Sequence, residues 1–369
     1  MKLVDVTPYF HSRSGGIRRY LLEKVKFLQG RSIEHVLIIP GKERKTYYIE
    51  STRVYELPSF PLPLTGGYRF FSSLSEIREI LKEEEPDIVE LGGTYQPINH
   101  LKSENYVLSV FYHADVRTEL SLLPAPERFK RVILERTIKR KLSKADIVLT
   151  PSKRQEDFLR GYGLNNVITI NLGVDTDVFN TSARDPYFDR SLGINQGKFK
   201  LVYVGRLSPD KNIDLLLEVF QYLDPTLFHL IVVGDGPYRK KVEKLSQKLP
   251  NMTYLGYVQR AEDLARIYAS CDIFVSTSWG ETYGLSFLEA QACGCILVAY
   301  DMELETQPFK EFLVKELSPQ SFYEAIINAC NHVSLKNREK ISHYILDNFS
   351  WKVTFEKLLE VYRGVLAEV

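Results

Sequence analysis

Short apolar runs rich in Val and Ile alternate with amphipathic stretches of helical period along nearly the whole chain, and this alternation restricts its fold more than any other feature. A strand that is apolar throughout must be covered on both faces, and a helix between consecutive strands makes their pairing parallel. KLVDV, HVLIIP, DIVELG, YVLSVFY, DIVLTPS and VITI are the candidate strands of the first half; KLVYVG, HLIVVGDG, MTYLG, DIFVST and CILVAY are those of the second. Each half therefore reads as a doubly wound α/β domain, and a chain of 369 residues is long for one core but suits two. Turn formers cluster and helical period is lost in NLGVDTDVFNTSARDPYFDRSLGINQGK, which sets the first domain at 1–172 and the second at 173–350. The closing SWKVTFEKLLEVYRGVLAEV has apolar residues at helical spacing, and residues 351–369 are assigned to the first domain as an amphipathic helix.

Charge and cysteine content exclude several classes. A formal net charge of +1 argues against a general polyanion binder, so no nucleic-acid partner is expected. Cys271, Cys293, Cys295 and Cys330 lie in apolar or helical stretches without a Cys-x-x-Cys pair, which reads as buried free thiols in a reducing compartment. No stretch approaches the roughly 20 apolar residues of a membrane span, and the N-terminus lacks a signal-like apolar region; a cytoplasmic protein is expected.

Ligands of open parallel sheets gather at the carboxyl ends of strands, so the loops there carry the chemistry. After the first strand, Gly15 and Gly16 open a helix, where free N–H groups and the helix dipole favour an anion; a plain tight turn is the alternative. In KLVYVGRLSPDKN, Gly205 and Arg206 follow a strand and Lys211 heads a helix. Two cations there oppose the dipole unless an anion such as a diphosphate joins them, the alternative being solvated surface charge. VVGDGP repeats the Gly-rich turn with Asp235 and Gly236. In DIFVSTSWGETYGLSFLEAQACG, Glu281 stands in a loop, the N–H groups of Tyr283, Gly284 and Leu285 open a helix, and Glu289 lies deeper in it. Such an N-terminus suits a phosphate, and a buried carboxylate can accept from both hydroxyls of a ribose. Two acids around a phosphate-binding turn match a nucleotide diphosphate joined to a sugar.

GGIRRYL, VGRLSPDKN, VVGDGP, YLGYV and the E-x7-E motif from Glu281 to Glu289 together resemble the retaining nucleotide-sugar glycosyltransferases of family 4, over nearly the whole chain. The resemblance implies a GT-B fold, two Rossmann-like parallel-sheet domains facing a cleft, the second binding the donor and the first the acceptor. It implies that Arg206 and Lys211 hold the donor diphosphate, Glu289 the ribose and Glu281 the transferred sugar. Gly16 would approach the phosphates, backbone near Val258 would meet the base, and His113 would lie near the reacting sugar. Transfer would proceed on one face of the sugar, the leaving phosphate oxygen helping to deprotonate the acceptor. No cofactor or metal is expected: Asp175-x-Asp177 matches the family's interdomain linker, and Arg206 and Lys211 supply the neutralising charge. The chain departs from the family at Thr282-Tyr283-Gly284, in CGCILVAYD, which lacks a proline, and in the acidic DMELETQPFKEFLVKE. A nucleotide-sugar epimerase and a non-catalytic nucleotide-sugar-binding subunit are the competing readings.

On the acceptor side, LPSFPLPLTGGYRFF (57–71) reads as a Pro-rich apolar loop, and ERFKRVILERTIKRKLSK (127–144) is a helix with eight basic against two acidic residues. A basic helix beside an apolar loop fits an anionic membrane surface and a glycolipid acceptor; a solvated helix and a soluble glycan acceptor are the alternative.

Overall fold

A computed structural model describes residues 1–10, 16–61, 69–94, 98–113 and 125–368. The chain divides into two units, Met1–Leu172 with Trp351–Val369, and Gly173–Ser350. The first runs β1 (Lys2–Val6), α1 (Gly16–Leu28), β2 (Glu34–Gly41), β3 (Lys45–Ile49), β4 (Thr52–Pro61), β5 (Arg69–Phe71), α2 (Leu74–Glu84), β6 (Ile88–Gly92), α3 (Ile98–Leu101), β7 (Val107–Phe111), α4 (Glu127–Arg136), β8 (Ile147–Thr150), α5 (Lys153–Gly161) and β9 (Val167–Thr169). The second runs α6 (Phe188–Ser191), β10 (Phe199–Val204), α7 (Ile213–Tyr222), β11 (Phe228–Val233), α8 (Arg239–Ser246), β12 (Met252–Gly256), α9 (Ala261–Ser270), β13 (Ile273–Ser276), α10 (Leu285–Ala292), β14 (Ile296–Ala299), α11 (Pro319–Cys330) and α12 (Leu335–Asn348). Finally α13 (Trp351–Glu368) belongs to the first unit.

Every expected strand is present. The first sheet has the order β3-β4-β2-β1-β6-β7-β8-β9, the second β12-β11-β10-β13-β14, and the pairs from β2 to β9 and throughout the second sheet are parallel. Continuous apolar runs are buried along their length, as in β6, β7 and β11. Serine side chains cap the following helices where the chain leaves the sheet: Ser73 accepts from Glu76 N–H and Ser152 from Gln155 N–H.

Two expectations need correction, and one strand was not foreseen. The segment 57–71 is not a loop at its ends: β4 continues through Pro61 and pairs antiparallel with β5, Ser59 opposite Phe71 and Phe60 opposite Phe70. Prolines argue against a strand because they lack a donor, but Pro58 still pairs through its carbonyl, which accepts from Ser72 N–H. Residues 62–68 of that stretch lie outside the described residues. The edge strand β3 also escapes the sequence pattern, because Lys45–Tyr48 are exposed and show no alternation. Finally, Cys271, Cys293 and Cys295 are buried free thiols, whereas Cys330 is only partly buried.

The first unit carries a buried ionic cluster. Lys24 of α1, 1% exposed, donates to Asp5 of β1 at 2.9 Å and to Glu90 of β6 at 2.8 Å. His35 of β2 lies 2.6 Å from the same Asp5. Glu90 also accepts from Tyr20 at 3.0 Å and from Tyr362 of α13 at 2.5 Å. Burial alone would raise Asp5, but Lys24 and His35 pull it down to about 2. Burial raises Glu90, to about 7, against the pull of Lys24. One ammonium thus joins β1, α1 and β6, and the same carboxylate anchors α13.

In the second unit the loops after β10 and β11 press backbone against backbone. Gly234 has φ +140°, and a Cβ there would stand 1.8 Å from the Gly205 carbonyl oxygen. Leu207 N–H donates to Asp235 O at 2.9 Å, and Tyr238 N–H to Leu207 O at 2.9 Å. Only glycine permits this conformation at this distance.

Two stability predictions follow from these contacts. Lys24→Ala removes the one ammonium between two buried carboxylates and is expected to cost about 3–5 kcal/mol, read from chemical denaturation of the full chain; a loss near zero would contradict the buried cluster. Gly234→Ala should lower the thermal midpoint by the equivalent of at least about 1–3 kcal/mol, whereas Gly280→Ala, where a Cβ meets nothing within 4 Å, should leave it unchanged. Equal effects of the two would refute the close approach.

Candidate active site

Four strand ends of the second unit supply the candidate donor site. β10 sits at the centre of its sheet, so the loops that follow it and β13 lie side by side. They are tied together by Thr277, whose hydroxyl reaches the carbonyls of Lys211 (3.2 Å) and Asn212 (2.9 Å). Across that junction Lys211 Nζ donates to Glu281 Oε1 at 2.6 Å, both side chains largely shielded from solvent. Arg206 is 67% exposed and meets Asp210 at 3.2 Å. Each of the two cations thus pairs with a carboxylate of the chain itself. Tyr203 holds the Arg206 backbone, its hydroxyl donating to Arg206 O at 2.9 Å; burial, with Glu281 and Asp210 near, pushes this hydroxyl well above its usual pKa and keeps it a donor.

Glu281 precedes a turn fastened from two sides. Its N–H points to Met302 Sδ at 3.4 Å, and Thr306 donates to Tyr283 O at 2.7 Å. Gln291 of α10 donates to both Phe287 O and Thr306 O at 2.8 Å. Gln307, wholly buried, accepts from Met302 N–H at 3.0 Å and donates to Tyr300 O at 2.6 Å. The acidic segment after β14 is thus clamped onto the start of α10. Gly284, which has no side chain to cap with, is the N-cap of α10 in the left-handed conformation. Leu285 begins α10, Tyr283 is buried, and Glu289 lies one turn in, 5% exposed, with the Tyr268 hydroxyl of α9 3.5 Å from Oε2.

The remaining candidates stand apart from this group. Asp235 accepts from Gly236 N–H at 2.8 Å and lies near Arg239, at the β11 turn that packs on Gly205. Val258 lines a separate cavity of about 500 Å³ with Tyr257, Gln259, Arg260 and Phe188, and none of Arg206, Lys211, Glu281 and Glu289 lines it. In the first unit, Gly16 starts α1, while Gly15 falls outside the described residues. His113 follows β7; its ring stacks on Phe111 at 4.0 Å and meets Tyr20 edge-on at 5.1 Å. It shares a small cavity with Ile17 of α1, Asp5 and Glu90. Burial and the nearby Lys24 hold its pKa down to about 3, so the ring is neutral. Asp175 accepts from Asp177 N–H, a local turn of the linker.

Thr277, Met302, Gln291, Thr306 and Gln307 were not found by sequence reasoning. Thr277 could have been, as a small polar residue closing an apolar strand run; the two glutamines give no periodic signal.

Comparison with known proteins places this arrangement. Residues 14–178 match the family described as Glycosyltransferase Family 4, and residues 186–345 match Glycosyl transferases group 1. The chain is 27% identical over 300 residues to a GDP-mannose-dependent alpha-(1-6)-phosphatidylinositol dimannoside mannosyltransferase of Mycobacterium tuberculosis, covering 80% of this chain and 78% of that one. It is 25% identical over 298 residues to the alpha-monoglucosyldiacylglycerol synthase of Streptococcus pneumoniae, covering 72% and 63%. Among solved structures, a sucrose-phosphate synthase from Thermosynechococcus elongatus superposes with a TM-score of 0.80 at 17% identity, covering 100% of both chains. With its parallel-sheet units, its E-x7-E helix and these matches over both halves, the chain belongs to the family 4 glycosyltransferases, nucleotide-sugar-dependent retaining hexosyltransferases of the GT-B fold.

Proposed function

We propose that this enzyme moves a hexose from a nucleotide-diphosphate sugar to a hydroxyl of a glycolipid or glycan of the cell envelope, without a metal ion. The observation that carries the donor assignment is the Lys211–Glu281 pair at 2.6 Å, set beside the glycine N-cap of α10. In this reading Lys211, held by Glu281, and Arg206 meet the diphosphate and stabilise the charge that grows on it as the glycosidic bond breaks. Glu281 orients Lys211 and contacts the sugar; Glu289 accepts from the ribose hydroxyls; Gly205, Gly236 and the N–H groups at Gly284 and Leu285 admit the phosphates at close range. Val258 and its cavity are assigned to the base. His113 is neutral and is assigned to hydrogen bonding with the sugar rather than to proton transfer. GDP-mannose is the first donor to test, because the M. tuberculosis relative is named for it.

The test combines binding and kinetics. GDP, UDP and ADP are screened by thermal shift with EDTA and with Mg²⁺ or Mn²⁺; at least one should raise the midpoint in EDTA, since a ligand held by the folded state alone stabilises it. Silence from all three in every buffer would sink the donor site. With the active donor, Lys211→Ala should lower kcat by about 10²–10³-fold, as loss of one oxyanion donor does. Glu289→Ala removes contacts present throughout the reaction and should mainly raise donor KM. Exchanged phenotypes would reverse the two roles.

The acceptor reading rests on α4 and the helical turns after it, 137–144. Leu134, Ile138 and Leu142 are buried at four-residue spacing, leaving Arg128, Arg131, Arg136, Lys139, Arg140 and Lys144 exposed. Phe129 and Val132 are exposed among them, and Phe60 is exposed near the end of β4. Among the described residues no helix is long and apolar enough to cross a membrane. A basic face bearing apolar side chains suits peripheral contact with anionic lipid, at about 1 kcal/mol for each basic residue near the surface. The wild type should co-sediment with anionic vesicles at low salt, less at high salt, and poorly with neutral ones. Changing Lys139, Arg140 and Lys141 together to Glu should abolish this; equal sedimentation of the variant would disprove membrane contact while leaving the donor site untouched.

A further inference from the structure

The last carbonyls of an α-helix lack intrahelical partners and form the negative end of its dipole. Two such ends, those of α9 and α10, meet a single side chain. Arg338 of α12, 7% exposed, donates from Nη1 to Cys271 O at 2.5 Å and from Nη2 to Ala269 O at 2.6 Å and Cys293 O at 3.3 Å. Its Nη1 also lies 3.6 Å from Asp272 Oδ1. One turn along α12, Ser342 donates to Ala292 O at 2.5 Å, a second bond to the end of α10. The chain leaving α10 runs so close to α12 that a Cβ on Gly294 would meet Arg338 Cβ at 3.1 Å, and α9 and α10 thus end on the same side chain.

These same two helices define the surroundings of Glu289. α10 carries it, and α9 carries Tyr268, whose hydroxyl stands 3.5 Å from its carboxylate. That separation is at the long limit for a hydrogen bond, so a small sliding of α9 against α10 decides whether the contact is made. We infer that Arg338 is a positioning residue for Glu289: by bonding the terminal carbonyls of α9 and α10 with one planar fork, it fixes the offset of the two helices and so the place of the Glu289 carboxylate. A lysine would keep the charge but present one point donor where the guanidinium serves carbonyls on both helices.

The inference rests on the assignment of Glu289 to the donor ribose, and the experiment separates the two. Arg338→Lys, Glu289→Gln and the double variant are made in the full chain, and their affinities for GDP, UDP and ADP and their donor kinetics are measured beside their thermal midpoints. Arg338→Lys should weaken the nucleotide that binds wild type by about 3- to 10-fold, the range of coupling between neighbouring groups, and raise donor KM while kcat at saturation is kept. In the Glu289→Gln background the same change should weaken binding no further, although its loss of thermal midpoint persists. A purely structural arginine would lower the midpoint equally but leave the affinity of the folded protein unchanged, or weaken it by one factor in both backgrounds; either result overturns the inference. Should Arg338→Lys fail to fold, Ser342→Ala perturbs the same end of α10 more gently and must show the same KM-only, non-additive pattern. If Glu289→Gln itself leaves affinity unchanged, the ribose assignment falls and this inference with it; if Glu289→Gln weakens binding and neither α12 variant does, this inference alone falls.

Discussion

The Gly205 carbonyl occupies the space that any side chain at position 234 would need, and the second unit is organised around that contact. Because the two turns touch through backbone alone, Leu207 N–H can reach Asp235 O, and the chain leaves β10 on a path that brings Lys211 to Thr277. Thr277 then sets Lys211 against Glu281. Each step is a hydrogen bond of ordinary strength, worth about 1 kcal/mol net. Their value lies in sequence: a side chain at 234 would displace the first and with it the geometry of the others.

The two acids of the E-x7-E motif end in unlike environments, and the helix explains why. Glu281 stands before the N-cap, where a loop can turn its carboxylate toward Lys211. Glu289 lies one turn inside α10, among buried residues on every side. Eight positions span the turn and the first helical residues, so one acid meets a cation from the loop and the other lies buried in the helix. Thr306 holds the turn before α10 to the loop after β14 through Tyr283 O, Gln291 ties the far part of the helix to the same loop, and Arg338 holds its end. An eight-residue helix with low intrinsic stability is thus fixed at both termini by neighbours rather than by its own propensity.

The first unit solves a different problem. Burial penalises the carboxylates of Asp5 and Glu90 in its core, and Lys24, His35 and two tyrosines satisfy them. Removing either charge sign would cost more than the cluster contributes, since an unpaired buried ion is the expensive state. Tyr362 reaches Glu90 from the far end of the chain, so the docking of α13 depends on the same group that holds α1. The ring of Tyr20 also supports His113, which links the cluster to a candidate site residue.

Much of this was legible in the sequence. Parallel strands have a continuous apolar signature because both faces are covered, so every strand of the second unit and six of the first are visible in order. Loops at their carboxyl ends are where ligands meet such sheets, which points to Arg206, Lys211, Glu281 and Glu289 without coordinates. The edge strand β3 and the β4–β5 pair were not legible, because exposure erases alternation and prolines mask pairing that uses only their carbonyls. Nor could the sequence pair Lys211 with Glu281, 70 residues apart, or aim Arg338 at the ends of two helices. Periodicity reports which face of an element is buried; it carries no information on which distant backbone carbonyl or carboxylate the folded chain brings within 3 Å. Those choices are made only when the sheet sets its strand order and neighbouring loops are forced into contact.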